Sequence, residues 1–221
     1  MRIISYNLHQ HRAVQELPAL VRDHDADVLC LQEAETARLP EHIGPLTLVH
    51  ATERNRLGLA LYVRDTRFEL GAVHAVQLKR SLHDRVLQPA HERLLGARLH
   101  DRVTGAELVV ASFHAAPLTA RNALRRHQID AGMAALGALG PALPAVMVGD
   151  FNYPVFQRRL DRHMRAAGYE LNRSDRHTYR RYFMFRGHYD FAAASELRIA
   201  QVRTLARGGS DHLPILVTAE L

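Results

Sequence analysis

Short runs of aliphatic and β-branched residues, several of them closed by a compact polar cluster, set the rhythm of this chain. Apolar alternation predicts strands over residues 2–6, 28–31, 46–50, 57–63, 68–78, 93–99 and 107–113, so strands dominate the first half. Three shorter apolar runs, at 145–148, 188–194 and 213–219, read the same way, and each carries a polar cluster at its edge. Gly105, between Thr104 and Ala106, marks a hairpin turn.

Helical spacing is rarer. Val14, Leu17, Leu20, Val21 and His24 predict an amphipathic crossover between the first two strands, after the polar start His9-Gln10-His11. Thr119 is placed to cap a second helix, with a stripe through Leu124, Gln128, Ala131 and Ala135 and an adjoining face of Ile129, Met133 and Leu136. Gly140-Pro141 stops it. A third helix, 157–167, ends at Gly168. Two packed sheets with helices on their outer faces satisfy this order of elements, and a doubly wound sheet fits the same alternation.

At 221 residues, with no repeat, linker or low-complexity tract, the chain reads as a single α/β domain spanning residues 1–221. Hydrophobic residues make up 47%, which excludes disorder, and no apolar run reaches the roughly 20 residues of a membrane span. Met1 leads straight into a strand pattern, so no secretory signal is expected. The lone Cys30 sits inside an apolar run, where it reads as a buried strand residue of a protein in a reducing, cytoplasmic compartment. Nothing implies a protein partner, and a monomer is expected.

Lys and Arg outnumber Asp and Glu by 29 to 23, a formal net charge of +6 that attracts polyanions. Fifteen histidines invite a zinc reading, but no His-Glu-x-x-His and no finger-like Cys/His spacing occurs. A Ser-His-Asp hydrolase is excluded as well. Ser210, Asp211 and His212 are consecutive and cannot all point inward from one loop, and there is no Gly-x-Ser-x-Gly elbow.

The polar clusters themselves suit phosphate-ester hydrolysis. Gly149-Asp150-Phe151-Asn152 and Ser210-Asp211-His212-Leu213-Pro214 supply carboxylates, amides and an imidazole, while Ser5-Tyr6-Asn7 and Leu31-Gln32-Glu33 close the first two strands. A phosphodiester is cut by a positioned water, a base for its proton, donors around the non-bridging oxygens and help for the departing oxygen. Glu33 and Asp211 are hard oxygen ligands suited to Mg²⁺ or Mn²⁺, and Asn7 and Asn152 can hold water or a phosphate oxygen. His212 is the natural proton handler, with Asp190 as its carboxylate partner. Asp150 would orient the attacking water, and His114 would donate to the phosphate.

Eight stretches in order make the chain similar to the endonuclease/exonuclease/phosphatase superfamily, the relatives of pancreatic deoxyribonuclease. They are Ser5-Tyr6-Asn7, Asp27 through Glu33, Gly58-Leu59-Ala60-Leu61, Ser112-Phe113-His114, Gly149-Asp150-Phe151-Asn152, Thr178-Tyr179, Tyr189-Asp190-Phe191 and Ser210 through Pro214. Singly, Leu-Gln-Glu is a weak signal; the ordered set is a strong one. The resemblance implies a four-layer α/β/β/α sandwich of two packed mixed sheets, a divalent metal, usually Mg²⁺, and in-line attack of water. It implies Glu33, Asn7 and Asp211 at the metal, Asp190 and His212 as a proton-handling pair, Asp150 and Asn152 around the nucleophile, and His114 on the scissile phosphate.

Departures from the pattern narrow the substrate. Leu8-His9-Gln10 and Ala34-Glu35 stand where relatives acting on abasic DNA carry Gly-containing and Thr-Lys segments. The chain has no Trp and lacks the Cys-Asp-Arg signature of inositol polyphosphate phosphatases. The expected substrate is nucleic acid, DNA or RNA, with a lipid headgroup or small phosphorylated molecule as the alternative. Between Thr178 and Arg186 aromatics alternate with arginines, so Tyr179, Arg180 and Arg181 are candidates for substrate contact, with Arg121 on a second basic rim. The same alternation also fits a strand with its rings in the core and its arginines in solvent.

Overall fold

A computed structural model describes residues 1–86, 90–181 and 185–220, without the side chains of residues 180, 181 and 185. Among the described residues the strands form two sheets and a small ribbon. The first sheet runs in the order β14 (Arg198–Thr204), β15 (Ile215–Glu220), β1 (Arg2–Asn7), β2 (Val28–Ala34), β5 (Gly58–Val63), β4 (Leu46–Ala51) and β3 (His42–Ile43). The second runs β10 (Glu170–Arg173), β13 (Asp190–Ser195), β9 (Ala145–Asp150), β8 (Glu107–His114), β7 (Glu92–Asp101) and β6 (Phe68–Gln77). The ribbon pairs β11 (Tyr179–Arg181) with β12 (Phe185–Gly187).

Both sheets are mixed. β1 and β2 are parallel, as are β8 and β9, and each parallel pair is joined by a crossover carrying a helix, α1 (Leu17–Asp23) or α3 (Asn122–Leu139). The central strands β5 and β9 are buried at every position, which explains why they read as continuous apolar runs rather than as alternating ones.

Three apolar clusters define the layers. Ile3, Val28, Cys30 and Leu61 of the first sheet pack against Leu95, Val110, Val148 and Ala192 of the second, so the main core lies between the sheets. Leu17 and Val21 of α1 cover the outer face of the first sheet. Ile129, Met133 and Leu136 of α3, with Leu160 and Met164 of α4 (Gln157–Ala166), cover the outer face of the second. The result is the four-layer sandwich, not a doubly wound sheet.

Several expectations shift in detail. Residues 14–16 form one 3₁₀ turn, and α1 starts only at Leu17. The second helix starts at Asn122, with Arg121 rather than Thr119 at its N-cap and no side-chain cap bond. Its buried face is the Ile129, Met133 and Leu136 side, while Leu124, Ala131 and Ala135 are half-buried. The edge strand β14 escaped the pattern because most of it is exposed, and α2 (Leu82–Val86) is too short to show a period. No described helix is long and apolar enough to cross a membrane.

Candidate active site

The polar clusters meet at one open end of the sandwich because strand register puts them there. In the second sheet His114, at the end of β8, pairs with Asp150, at the end of β9, and Asp150 pairs with Asp190, at the start of β13. Gly149 makes that alignment possible: its φ is +147°, and a Cβ there would collide with the Phe113 carbonyl. In the first sheet Asn7 ends β1 opposite Gln32 of β2. The register between β2 and β5 then shifts between Leu31 and Ala34, where Glu33 adopts φ +54°, so the strand bulges at the residue whose carboxylate enters the cleft.

Asp150 Oδ2 is the hub. Asn7 Nδ2 and Asn152 Nδ2 each donate to it at 3.2 Å, His212 Nε2 lies 3.6 Å away and His114 Nε2 3.7 Å away. The other oxygen of Asp150 accepts from the Asn152 backbone N–H at 2.9 Å. On its far side His212 Nδ1 meets Asp190 Oδ2 at 2.9 Å. Thr178, fully buried, pins that carboxylate by accepting from the N–H groups of Tyr189 and Asp190 at 3.0 and 3.1 Å. Ser210 Oγ donates to the Asn7 carbonyl at 2.7 Å and accepts from the His212 N–H at 3.0 Å, which ties the last loop to the first strand.

Burial and crowded charge shift the titrations. Burial is the main reason the Asp150 carboxyl is pushed up to about 7; Asp190 and Glu33 add to the rise and His212 opposes it. Burial alone would lower His212, but the carboxylates of Asp190 and Asp150 outweigh it and carry the imidazole up to about 10. His114 is held well below the usual histidine range by burial, by Arg93 and by His212. Charge is therefore favoured on His212 and disfavoured on His114.

Glu33, Asp211, Asp150, Asn152, His114, His212 and Tyr179 line one cleft of about 310 Å³. Asn7 lies against it, donating through Nδ2 to Glu33 at 3.4 Å as well as to Asp150, while its Oδ1 accepts from the His9 N–H at 3.0 Å. Asp211 Oδ1 is 2.8 Å from His9 Nδ1. Asp190 stands behind His212. Arg121 is exposed at the N-cap of α3 and is not among the residues lining the cleft. The side chains of Arg180 and Arg181 lie outside the described residues.

The sequence pattern missed Arg93. It is buried, paired with Asp84 of α2, and donates to the carbonyls of His114 and Ala115 at 3.3 and 3.4 Å. A single Arg opening an apolar strand carries no signal of such a role. His9 and Gln10 were read only as a polar helix start; both follow Asn7 in left-handed conformations and line the cleft.

Carboxylates, amides and imidazoles from both sheets thus ring one cleft at the open end of the sandwich. A sequence profile of the Endonuclease/Exonuclease/phosphatase family matches residues 4–212, and the chain belongs to that family. No curated protein sequence matches it. Among solved structures it is similar to the Bacteroides thetaiotaomicron mannosyl-6-phosphatase Bt3783, with 18% identity, a TM-score of 0.78 and all of both chains covered. It is similar to D. rerio TDP2 complexed with single strand DNA product, with 14% identity, a TM-score of 0.79, and 100% of this chain and 99% of that one covered. It also resembles the human Nocturnin catalytic domain with bound sulfate, with 17% identity, a TM-score of 0.71, and 100% and 94% covered. At these identities the likeness is one of fold.

Proposed function

We propose that this chain is a divalent-metal-dependent phosphodiesterase that hydrolyses nucleic acid by in-line attack of water. The observation that carries this reading is the set of donors converging on Asp150 Oδ2, with imidazoles on either side, charge favoured on His212 and disfavoured on His114. Those groups suit the oxygens of a phosphoryl group as it gains charge.

The donor set fits a hard divalent cation. Glu33 and Asp211 line the cleft with Asn7 beside Glu33, and burial with neighbouring negative charge raises Asp150, which is the excess a cation would offset. Glu33, Asp211 and Asn7 would hold it, and when bound it supplies charge neutralisation and polarisation of the ester. Asp150, Asp190 and His212 also present ligand atoms within 4.8 Å of one another. The 2.9 Å bond between His212 and Asp190 already commits one such atom from each, so we assign this trio to proton handling.

In that assignment Asp150 orients the water and takes its proton, with an affinity near neutrality suited to a base. His212, held cationic by Asp190, donates from Nε2 toward the phosphoryl group. His114 donates from Nε2 to a non-bridging oxygen, and Asn152 fixes the Asp150 carboxylate. Tyr179, which lines the cleft, would contact the flank of the substrate. The expected result is cleavage of plasmid or oligonucleotide with Mg²⁺ or Mn²⁺, abolished by EDTA and lost in folded His212→Ala and Asp150→Ala proteins. Undiminished cleavage by both variants would remove the mechanism.

A second reading, hydrolysis of a small phosphorylated molecule, draws on the size of the cleft, since about 310 Å³ lies at the small end of ligand pockets. Turnover of sugar phosphates with none on DNA or RNA would select it.

A further inference from the structure

We propose that the exposed face of α4, with Phe156 at its start, is a second contact surface for a single-stranded nucleic acid whose scissile phosphate lies in the cleft. The inference rests on the phosphodiesterase reading and names the part of the substrate it would hold.

The sequence of α4 divides sharply by face. Leu160 and Met164 are buried against the outer core of the second sheet, while Arg158, Arg159 and Arg162 are exposed on the other side. Arg162 lies one turn on from both others, at i+4 from Arg158 and i+3 from Arg159, so the three share one surface. Their charge is uncompensated. Further along the helix Arg165 pairs with Asp161 at 3.2 Å and His163 with Asp130 at 2.6 Å, whereas among the described residues Arg158, Arg159 and Arg162 make no ion pair. With Pro154, Phe156 and Gln157 they line a shallow groove of about 530 Å³ that has no acidic residue in its wall. The Phe156 ring, 72% exposed, stands on the rim.

An unpaired arginine trio beside a bare aromatic ring is a means of holding a strand by its phosphates while a base stacks on the ring. A membrane surface would attract the same charge. Anchoring there requires a broad apolar face, however, and the large apolar side chains of α4, Leu160 and Met164, are spent on the core, with Val155 and Phe156 just before it exposed. A polyanionic strand is the better match.

The chain places this surface close to the chemistry. Phe156 lies four steps along the chain from Asn152, which limits their Cα atoms to about 14 Å. That is about four steps of a stacked strand. Gln157 Nε2 donates to the His188 carbonyl at 3.0 Å, anchoring the start of α4 two residues from Asp190.

The test is fluorescence anisotropy with a labelled twelve-nucleotide oligothymidylate in EDTA, where binding is read without turnover. Arg158→Ala/Arg159→Ala/Arg162→Ala should weaken binding about tenfold at about 0.1 M salt and reduce the slope of log K against log salt by about 2. Phe156→Ala should weaken binding about tenfold with the slope unchanged. In Mg²⁺ the variants should show a lower ratio of kcat/KM on the oligonucleotide to kcat/KM on bis(4-nitrophenyl) phosphate. Unchanged affinity and slope would overturn the proposal, as would oligonucleotide binding that survives while these changes abolish binding to phosphatidylserine vesicles. Failure of the wild-type protein to hydrolyse either diester would defeat the phosphodiesterase reading instead, with the anisotropy still reporting on the surface.

Discussion

Gln32 Nε2, on the first sheet, donates to Ser112 Oγ, on the second, at 2.9 Å, directly beneath the cleft. Ser112 passes the bond back by donating to the Leu31 carbonyl at 3.0 Å, and Gln32, Ser112 and neighbouring Ser5 are all buried. Glu33 is the next residue after Gln32, and His114 lies two beyond Ser112, so this bridge sets the spacing between the two sides of the site. Gln32→Ala should lower unfolding free energy by about 1–3 kcal/mol, the cost of leaving buried partners unsatisfied. Urea titration reads the loss. A variant as stable as wild type would show that packing alone fixes the sheets here.

The same dependence on placement applies to Asp190. Its carboxylate meets His212 Nδ1 and is held by Thr178 through backbone N–H groups. Asp190→Asn keeps the shape but removes the charge that holds His212 protonated, so kcat on an oligonucleotide should fall about 10²- to 10⁴-fold with little change in KM. A mild loss, within a few-fold, would mean that His212 needs no ionised partner.

The pH profile follows from the two coupled groups. Asp150, raised to about 7 by burial and by neighbouring carboxylates, must be ionised to take a proton, so kcat/KM should climb as pH rises through about 7. His212, raised to about 10 by Asp190 and Asp150 against its burial, must stay protonated, so the rate should fall as pH rises through about 10. These limbs belong to the coupled set rather than to single residues. A cation bound beside Asp150 favours its ionised form, so raising Mg²⁺ should move the acid limb to lower pH. An acid limb that ignores metal concentration would separate the metal from Asp150.

Most of this arrangement is legible before folding because the residues concerned end strands. Asn7, His114, Asp150 and Asp190 follow or open apolar runs, and a parallel or antiparallel register brings such ends together without further information. What the pattern does not carry is contact that depends on partners distant in sequence. Arg93 reads as the first residue of a strand until Asp84 is placed beside it, and His9 as a helix start until Asp211 arrives 202 residues later. The cap at Thr119 failed for a local reason: Thr119 lies in a turn closed by the Ala120 N–H on the Pro117 carbonyl at 2.9 Å, and Arg121 is extended before α3 begins. The basic face of α4 is not singled out in the sequence, and only packing shows which of its arginines lack partners.

At the other end of the sandwich Arg67 joins the sheets through charge. Its guanidinium reaches Asp101 Oδ2 at 2.7 Å on β7 and Asp27 Oδ2 at 2.9 Å just before β2. Burial pushes Asp101 up, but hydrogen bonds from Arg67 and the Val103 N–H, with the Arg67 charge, outweigh it and hold the carboxyl below its usual range. A carboxyl lowered on folding contributes stability above its unfolded value of about 3.9 and loses that contribution as pH falls through the folded value. Arg67→Ala leaves the buried Asp101 carboxylate without an ion pair, while Asp27 keeps Arg64 at 3.5 Å, and should cost about 3 kcal/mol at neutral pH. The deficit should shrink toward about pH 3, where protonation neutralises the carboxyls in the variant first. Denaturant titrations of both proteins at the two pH values give the comparison. A deficit that stays constant would instead assign the loss to packing of the Arg67 stem, whose guanidinium carbon lies 5.1 Å from the centre of the Phe68 ring.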